Sequence, residues 1–253
     1  MTKKILLTLL TVFTIGGTAV FAAGTEPDFV EIMEGLDMRS NFEDIDFSSQ
    51  LTIITEDPED GVSKEVTNQF RNDNNDEMMM ITLEPVSQKG QGMLKVGDNV
   101  WMYDPETRKF THMSLKENYG DSDAKMNDFG TSSYAEDYKV SGYTEGKLGD
   151  YDVWIVEWEA VNDEVPYPYV TAYIDRASEL LLMTKEYSLS KRLMRSSYYL
   201  KYAQINDKYI STQMIFKDET MENAKTTIAI SSISLDELDD SIFTKSYLER
   251  VNR

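Results

Sequence analysis

From Gln50 to Ser234 the apolar residues recur mainly at every second position, the period of a strand with one face turned inward. The clearest runs are Gly92–Val96 and Asn99–Tyr103, joined by Gly97-Asp98. Gly-Asp between alternating runs marks a two-residue hairpin, because the primed turns that fit strand twist need positive φ. Asp104-Pro105-Glu106-Thr107 makes a second turn, with proline presetting φ, and Lys109–Leu115 is a third run. With Val96 opposite Asn99, Leu94 faces Trp101 and Gly92 faces Tyr103. The pattern therefore puts Leu94, Val96, Trp101 and Tyr103 on one face, and Met93, Lys95, Val100 and Met102 on the other. The aromatic face is expected to be concave and to line a hydrophobic cavity, with Lys95 solvated on the convex side.

The rest of the chain extends this meander. Glu26–Asp37 carries Phe29, Ile32, Met33 and Leu36 at helical spacing and predicts an amphipathic helix after Thr25. Gln50–Thr55, Lys64–Phe70 and Met78–Leu83 read as strands before the central hairpin. Tyr151–Ala160 places Trp154 and Trp158 on one face, as further cavity residues, and Tyr167–Ile174 follows. Leu180–Leu189, Arg192–Ile205, Tyr209–Lys217 and Lys225–Ser234 complete the pattern, and Asp239–Phe243 is a short helical turn. About eleven hairpin-connected strands predict a mainly β (α+β) chain: an antiparallel sheet curling into a half-open barrel. Lys116–Tyr138 interrupts the strands, and Ser133 with Glu136 three residues on is a helix-start signature. Such a stretch is either a crossover connection or a helical lid, with Phe129, Gly130, Tyr134 and Tyr138 as its large or pivotal residues.

Residues 1–22 change where this domain is expected to work. Lys3-Lys4, an apolar run from Ile5 to Val20 and Val20-Phe21-Ala22 read as a signal peptide cut after Ala22, leaving residues 23–253 as a single domain. The chain has no cysteine, so thiol catalysis, cysteine-bound metal and lipidation at a lipobox cysteine fall away. A net charge of −20 argues against nucleic acid and against anionic lipid headgroups as partners.

Chemistry is sparse. His112 is the single histidine, in a strand, with no second metal ligand near it in sequence. No phosphate loop, dinucleotide fingerprint or nucleophile elbow occurs. The acidic stretch Asp73–Glu77 lacks the glycine and distant glutamate of a calcium loop and reads as a polar hairpin tip. With 45 acidic residues, a carboxylate pair by itself carries no signal for a hydrolase. The expectation is no catalytic residue, no cofactor and no metal.

Pro85, Gly90, Leu94, Trp101, Tyr103 and Pro105, followed by Gly130, Glu136 and Asp137, resemble the outer-membrane lipoprotein-sorting protein family, of LolA-like fold. The closing run Ser241-Ile242-Phe243-Thr244-Lys245-Ser246-Tyr247-Leu248-Glu249 resembles that family's end. The resemblance implies a half-open barrel capped by helices, and a periplasmic carrier that shelters acyl chains of lipoproteins or lipids. It also implies transient contacts with membrane proteins, an inner-membrane transporter among the candidates. A lipid-binding sensor or transporter accessory subunit of the same fold is the alternative.

Overall fold

The structure is a computed structural model that describes residues 26–251; the expected signal peptide lies outside the described residues. Helix α1 (Phe29–Ser40) begins where the Asp28 carboxylate accepts the amides of Val30 and Glu31. Asp28, not Thr25, is thus the cap, which moves the helix three residues along the chain from its expected place. It buries Phe29, Ile32, Met33 and Leu36, as their spacing requires.

Thirteen strands follow: β1 (Phe47–Asp57), β2 (Gly61–Asn72), β3 (Glu77–Glu84), β4 (Gly92–Val96), β5 (Asn99–Asp104), β6 (Lys109–Met113), β7 (Tyr138–Leu148), β8 (Tyr151–Ala160), β9 (Tyr169–Asp175), β10 (Leu181–Tyr187), β11 (Leu193–Ile205), β12 (Lys208–Asp218) and β13 (Lys225–Ser234). They form one antiparallel sheet in the order β6-β5-β4-β3-β2-β1-β13-β12-β11-β10-β9-β8-β7. The sheet is open, with β6 and β7 as its two edges, and has the architecture of a half-open barrel. Register shifts in β1, β2, β7 and β10 add the local bends that curl so wide a sheet.

The one strand with no counterpart among the runs read in the sequence is β7. Its signal was a second Gly-Asp turn, since Gly149 (φ 59°) joins β7 to β8 just as Gly97 (φ 54°) joins β4 to β5. As an edge strand with Gly142 and Gly146 inside it, β7 shows only weak alternation.

The central hairpin has the expected register: Val96 pairs with Asn99, Leu94 with Trp101 and Gly92 with Tyr103. The expected faces are reversed. Met78, Met80, Met93 and Val100 turn inward and pack against Tyr119, Met126 and Phe129 of the segment between β6 and β7. Leu94 and Tyr103, with Val96 and Trp101 beside them, pack on the outer face against the C-terminal segment, chiefly Phe243 and Leu248. That segment is a short 3-10 turn (Asp240–Phe243) followed by a helix over Lys245–Val251, and Lys245 Nζ sits 3.9 Å from the centre of the Trp101 ring. Lys95 lies on the inner face, buried, in an ion pair with Asp76. Alternation separates two faces but does not say which is concave, and here a distant element covers the outer one.

At the other end of the sheet, α1 lies over β8, β9 and β10. Its apolar stripe meets Val156, Trp158, Ala172, Ile174 and Leu181. Trp154 and Trp158 share this inner face; Phe29 meets Trp154 edge-on at 5.9 Å.

Candidate functional site

The inner face of the sheet is roofed by α1 and by the segment 114–137, which holds a 3-10 turn (Met126–Phe129) and helix α2 (Tyr134–Asp137). The two roof pieces are sewn together. Asp37 of α1 accepts the amides of Tyr134 and Ala135, both at 2.9 Å, and so caps α2 from another helix. Asn41 exchanges two bonds with the Ser132 backbone, at 2.7 and 2.8 Å. Burial raises the Asp37 carboxyl above its usual range, although both backbone bonds pull it down.

Side-chain bonds hold the roof to the sheet. Arg195 of β11 makes a paired contact with Asp128, Nη1 to Oδ2 at 2.6 Å and Nη2 to Oδ1 at 3.0 Å. Its Nε reaches Glu186 of β10 at 3.2 Å, and Glu186 also accepts from Thr184 and Ser197. Burial alone would lower the guanidinium pKa, but the Asp128 and Glu186 carboxylates push it well up, so Arg195 stays charged. The Phe216 ring lies 4.8 Å from the guanidinium carbon. Elsewhere Gln69 donates to the Phe129 carbonyl at 2.8 Å, Thr226 to Asp123 at 2.8 Å and the Tyr119 hydroxyl to Glu65 at 2.7 Å.

Between roof and sheet lie two adjoining cavities. The first, of about 140 Å³, is lined mainly by Leu36, Leu51, Phe129, Leu181, Met214 and Ile230. The second, of about 110 Å³, is more polar and is bordered by Asp128, Tyr138, Trp158, Glu186 and Arg195. Gly130, Tyr134, Tyr199 and Met214 border both. Burial raises the phenol pKa of Tyr134, Tyr138 and Tyr199, which keeps these hydroxyls neutral.

The residues expected to act together are therefore divided by the structure. Phe129, Gly130, Tyr134, Tyr138 and Trp158 border the cavities, and Trp154 lies on the same face under Phe29. Leu94, Val96, Trp101 and Tyr103 pack away from them, against the C-terminal segment. Sequence reasoning missed Arg195, Asp128, Glu186, Tyr199 and Met214. A signal existed for Met78, Met80, Met93 and Met102, which alternate on one face; flexible thioethers at such spacing suit an adaptable apolar wall.

Among the described residues, no group of three or more His, Asp or Glu side chains is placed to hold a metal ion. The acidic stretch is a hairpin tip, as expected, but Asp73 is buried there and paired with Arg71 at 2.5 Å. Glu186 and Asp128, carboxylates of the site, both serve Arg195.

None of the curated proteins matches the chain. Among solved structures, a LolA superfamily protein from Nitrosomonas europaea is similar, with a TM-score of 0.74 and 22% identity over 86% of this chain and 97% of that one. A putative outer membrane lipoprotein-sorting protein domain from Vibrio parahaemolyticus has a TM-score of 0.77 and 17% identity, over 87% of this chain and 98% of that one. A DUF1329 family protein from Desulfovibrio piger has a TM-score of 0.76 and 18% identity, over 87% and 97% of the two chains. The likeness identifies the fold as LolA-like. A family model whose description reads "Uncharacterized protein" matches residues 74–250, and the chain belongs to that family.

Proposed function

We propose that this protein is an exported carrier that shelters acyl chains of lipoproteins or lipids in the cavity beneath its roof, without chemistry of its own. The observation that carries this reading is the apolar cavity on the inner face, closed by a segment that side-chain bonds, and no strand pairing, hold to the sheet. Each methylene moved from water into such a wall gains about 0.8 kcal/mol, so a single chain is held marginally and reversibly, as a carrier that must release its cargo requires. At about 140 and 110 Å³ the two cavities are below the ~300–1,000 Å³ of small-molecule sites. Cargo therefore enters by displacing segment 114–137, which acts as a lid. The signal-like residues 1–22 favour the periplasm, and the acidic exterior suits transit without adhesion to anionic membranes. Loading and delivery then fall to transient contacts with membrane proteins, an inner-membrane transporter among them.

Titration of a fluorescent acyl probe tests the reading. Binding is expected in the wild type and at least about tenfold weaker in Met214→Trp, which fills the junction of the two cavities. No saturable binding in the wild type, or equal binding in a folded Met214→Trp, overturns it.

A further inference from the structure

Glu65, near the start of β2, is half-buried, and no cation among the described residues compensates its charge. It accepts from the Tyr119 hydroxyl at 2.7 Å and from the Thr82 hydroxyl at 2.9 Å. Both bonds go to Oε1, and neither uses Oε2. Burial raises the Glu65 carboxyl above its usual range, although both bonds pull it down. Its neighbour Lys64 is exposed and pairs with Glu84 at 3.2 Å.

The same carboxylate borders a cavity of about 330 Å³ that shares no lining residue with the two described above. One wall is sheet, with Thr55, Glu65 and Met102; another is roof segment, with Tyr119 and Asp121. Gln91, just before β4, adds an amide. The volume reaches the ~300–1,000 Å³ of small-molecule sites, so this cavity admits a ligand without displacing the roof.

A partly desolvated carboxylate at the wall of a cavity is a mark of a ligand site. An anion placed here meets Glu65 and Asp121 and is repelled. A neutral polyol finds hydrogen bonds but leaves the Glu65 charge uncompensated. An ammonium group brings the missing charge and three donors, for Glu65 Oε2 and for hydroxyl and amide oxygens around it. We infer that this cavity is a separate binding site for a small soluble organic amine in its ammonium form, with Glu65 as the counter-ion. The inference does not rest on the carrier reading. Because the ligand touches sheet and roof together, it also holds the roof down.

Isothermal titration with cadaverine, aminopentanol and pentanediol at about pH 7.5, where the amines are protonated, tests this. Salt at about 0.15 M screens diffuse attraction to the acidic surface. Both amines are expected to bind saturably, and pentanediol at least about tenfold more weakly. Glu65→Gln should weaken the amines at least about tenfold. Asp98→Asn, at the exposed hairpin on the far end of β4, should leave them unchanged. Amide exchange in residues 118–123 should slow when cadaverine binds. No saturable binding of either amine, or equal binding of pentanediol, overturns the inference. So does full amine binding in a folded Glu65→Gln, or an equal loss in Asp98→Asn, which would reduce the effect to net charge. If Glu65→Gln does not fold, the wild-type ranking and the exchange decide, and unchanged exchange in residues 118–123 overturns the inference. Every one of these outcomes leaves the carrier reading standing.

Discussion

Arg195 of β11 and Asp128 of the roof segment meet across the space between sheet and lid through two near-parallel bonds of 2.6 and 3.0 Å. Both side chains are largely shielded from water, so the pair is worth more for holding the roof in one place than a surface ion pair would be. Asp128→Asn keeps the shape and removes the charge. It is expected to cost about 3 kcal/mol, the low end for breaking a buried pair, because Glu186 still accompanies Arg195. Amide exchange should quicken in residues 118–133 and stay unchanged in the C-terminal helix. Stability and exchange that both match the wild type would show that the roof is held by other contacts.

The outer face makes a different prediction. A Cβ on Gly92 would lie 2.3 Å from Leu248 Cδ2 and 3.2 Å from the Met80 carbonyl oxygen, so Gly92→Ala must displace the buried Leu248 side chain that seats the C-terminal helix on the sheet. A loss of about 1–3 kcal/mol is expected by thermal or urea unfolding. At Gly130 the nearest atoms are 4.0 Å away on the Lys95 side chain, and Gly130→Ala should be close to neutral. Leu248→Ala on top of Gly92→Ala should cost less than the sum of the two single changes, since the clash is relieved. Strict additivity would mean that the helix does not pack on Gly92.

Buried tyrosines set an alkaline limit. Burial is the leading cause of the raised pKa of Tyr119, Tyr134, Tyr138, Tyr167, Tyr199 and Tyr202, with Tyr167 pushed up to about 12. In the unfolded chain these phenols ionise near 10.0, while in the folded one they hold their protons. Above that pH the unfolded state has released more protons, so stability is complete below it and is lost as pH rises. A titration of tyrosinate absorbance beside circular dichroism should show six of the 15 tyrosines ionising together with the loss of structure. Ionisation of all 15 while the dichroism stays native would contradict this.

Register and hairpin order were legible in the sequence because they are local: Gly97-Asp98 fixes how Leu94 meets Trp101. Facing was not. In β3, Met78, Met79 and Met80 are all buried, since the roof covers one side and the C-terminal segment the other, and two-sided burial erases alternation. The C-terminal helix itself, seven residues long, is too short to stand out by periodicity. Trp154 and Trp158 share one face, as their spacing requires, and that face is covered by α1, whose stripe was visible. Arg195, Glu186 and Asp128 come from two strands and a loop. Nothing local marks a charge whose partner lies 67 residues away.

Photo-crosslinking reads out whether an acyl chain occupies the space between roof and sheet. A monoacylglycerol carrying a diazirine at the end of its chain would be bound, irradiated and the labelled peptides sequenced. Labels are expected on Leu36, Leu181, Met214 and Ile230, competed away by unlabelled glyceride. Labels confined to the Leu94, Trp101 and Leu248 face, or insensitive to competitor, would contradict it.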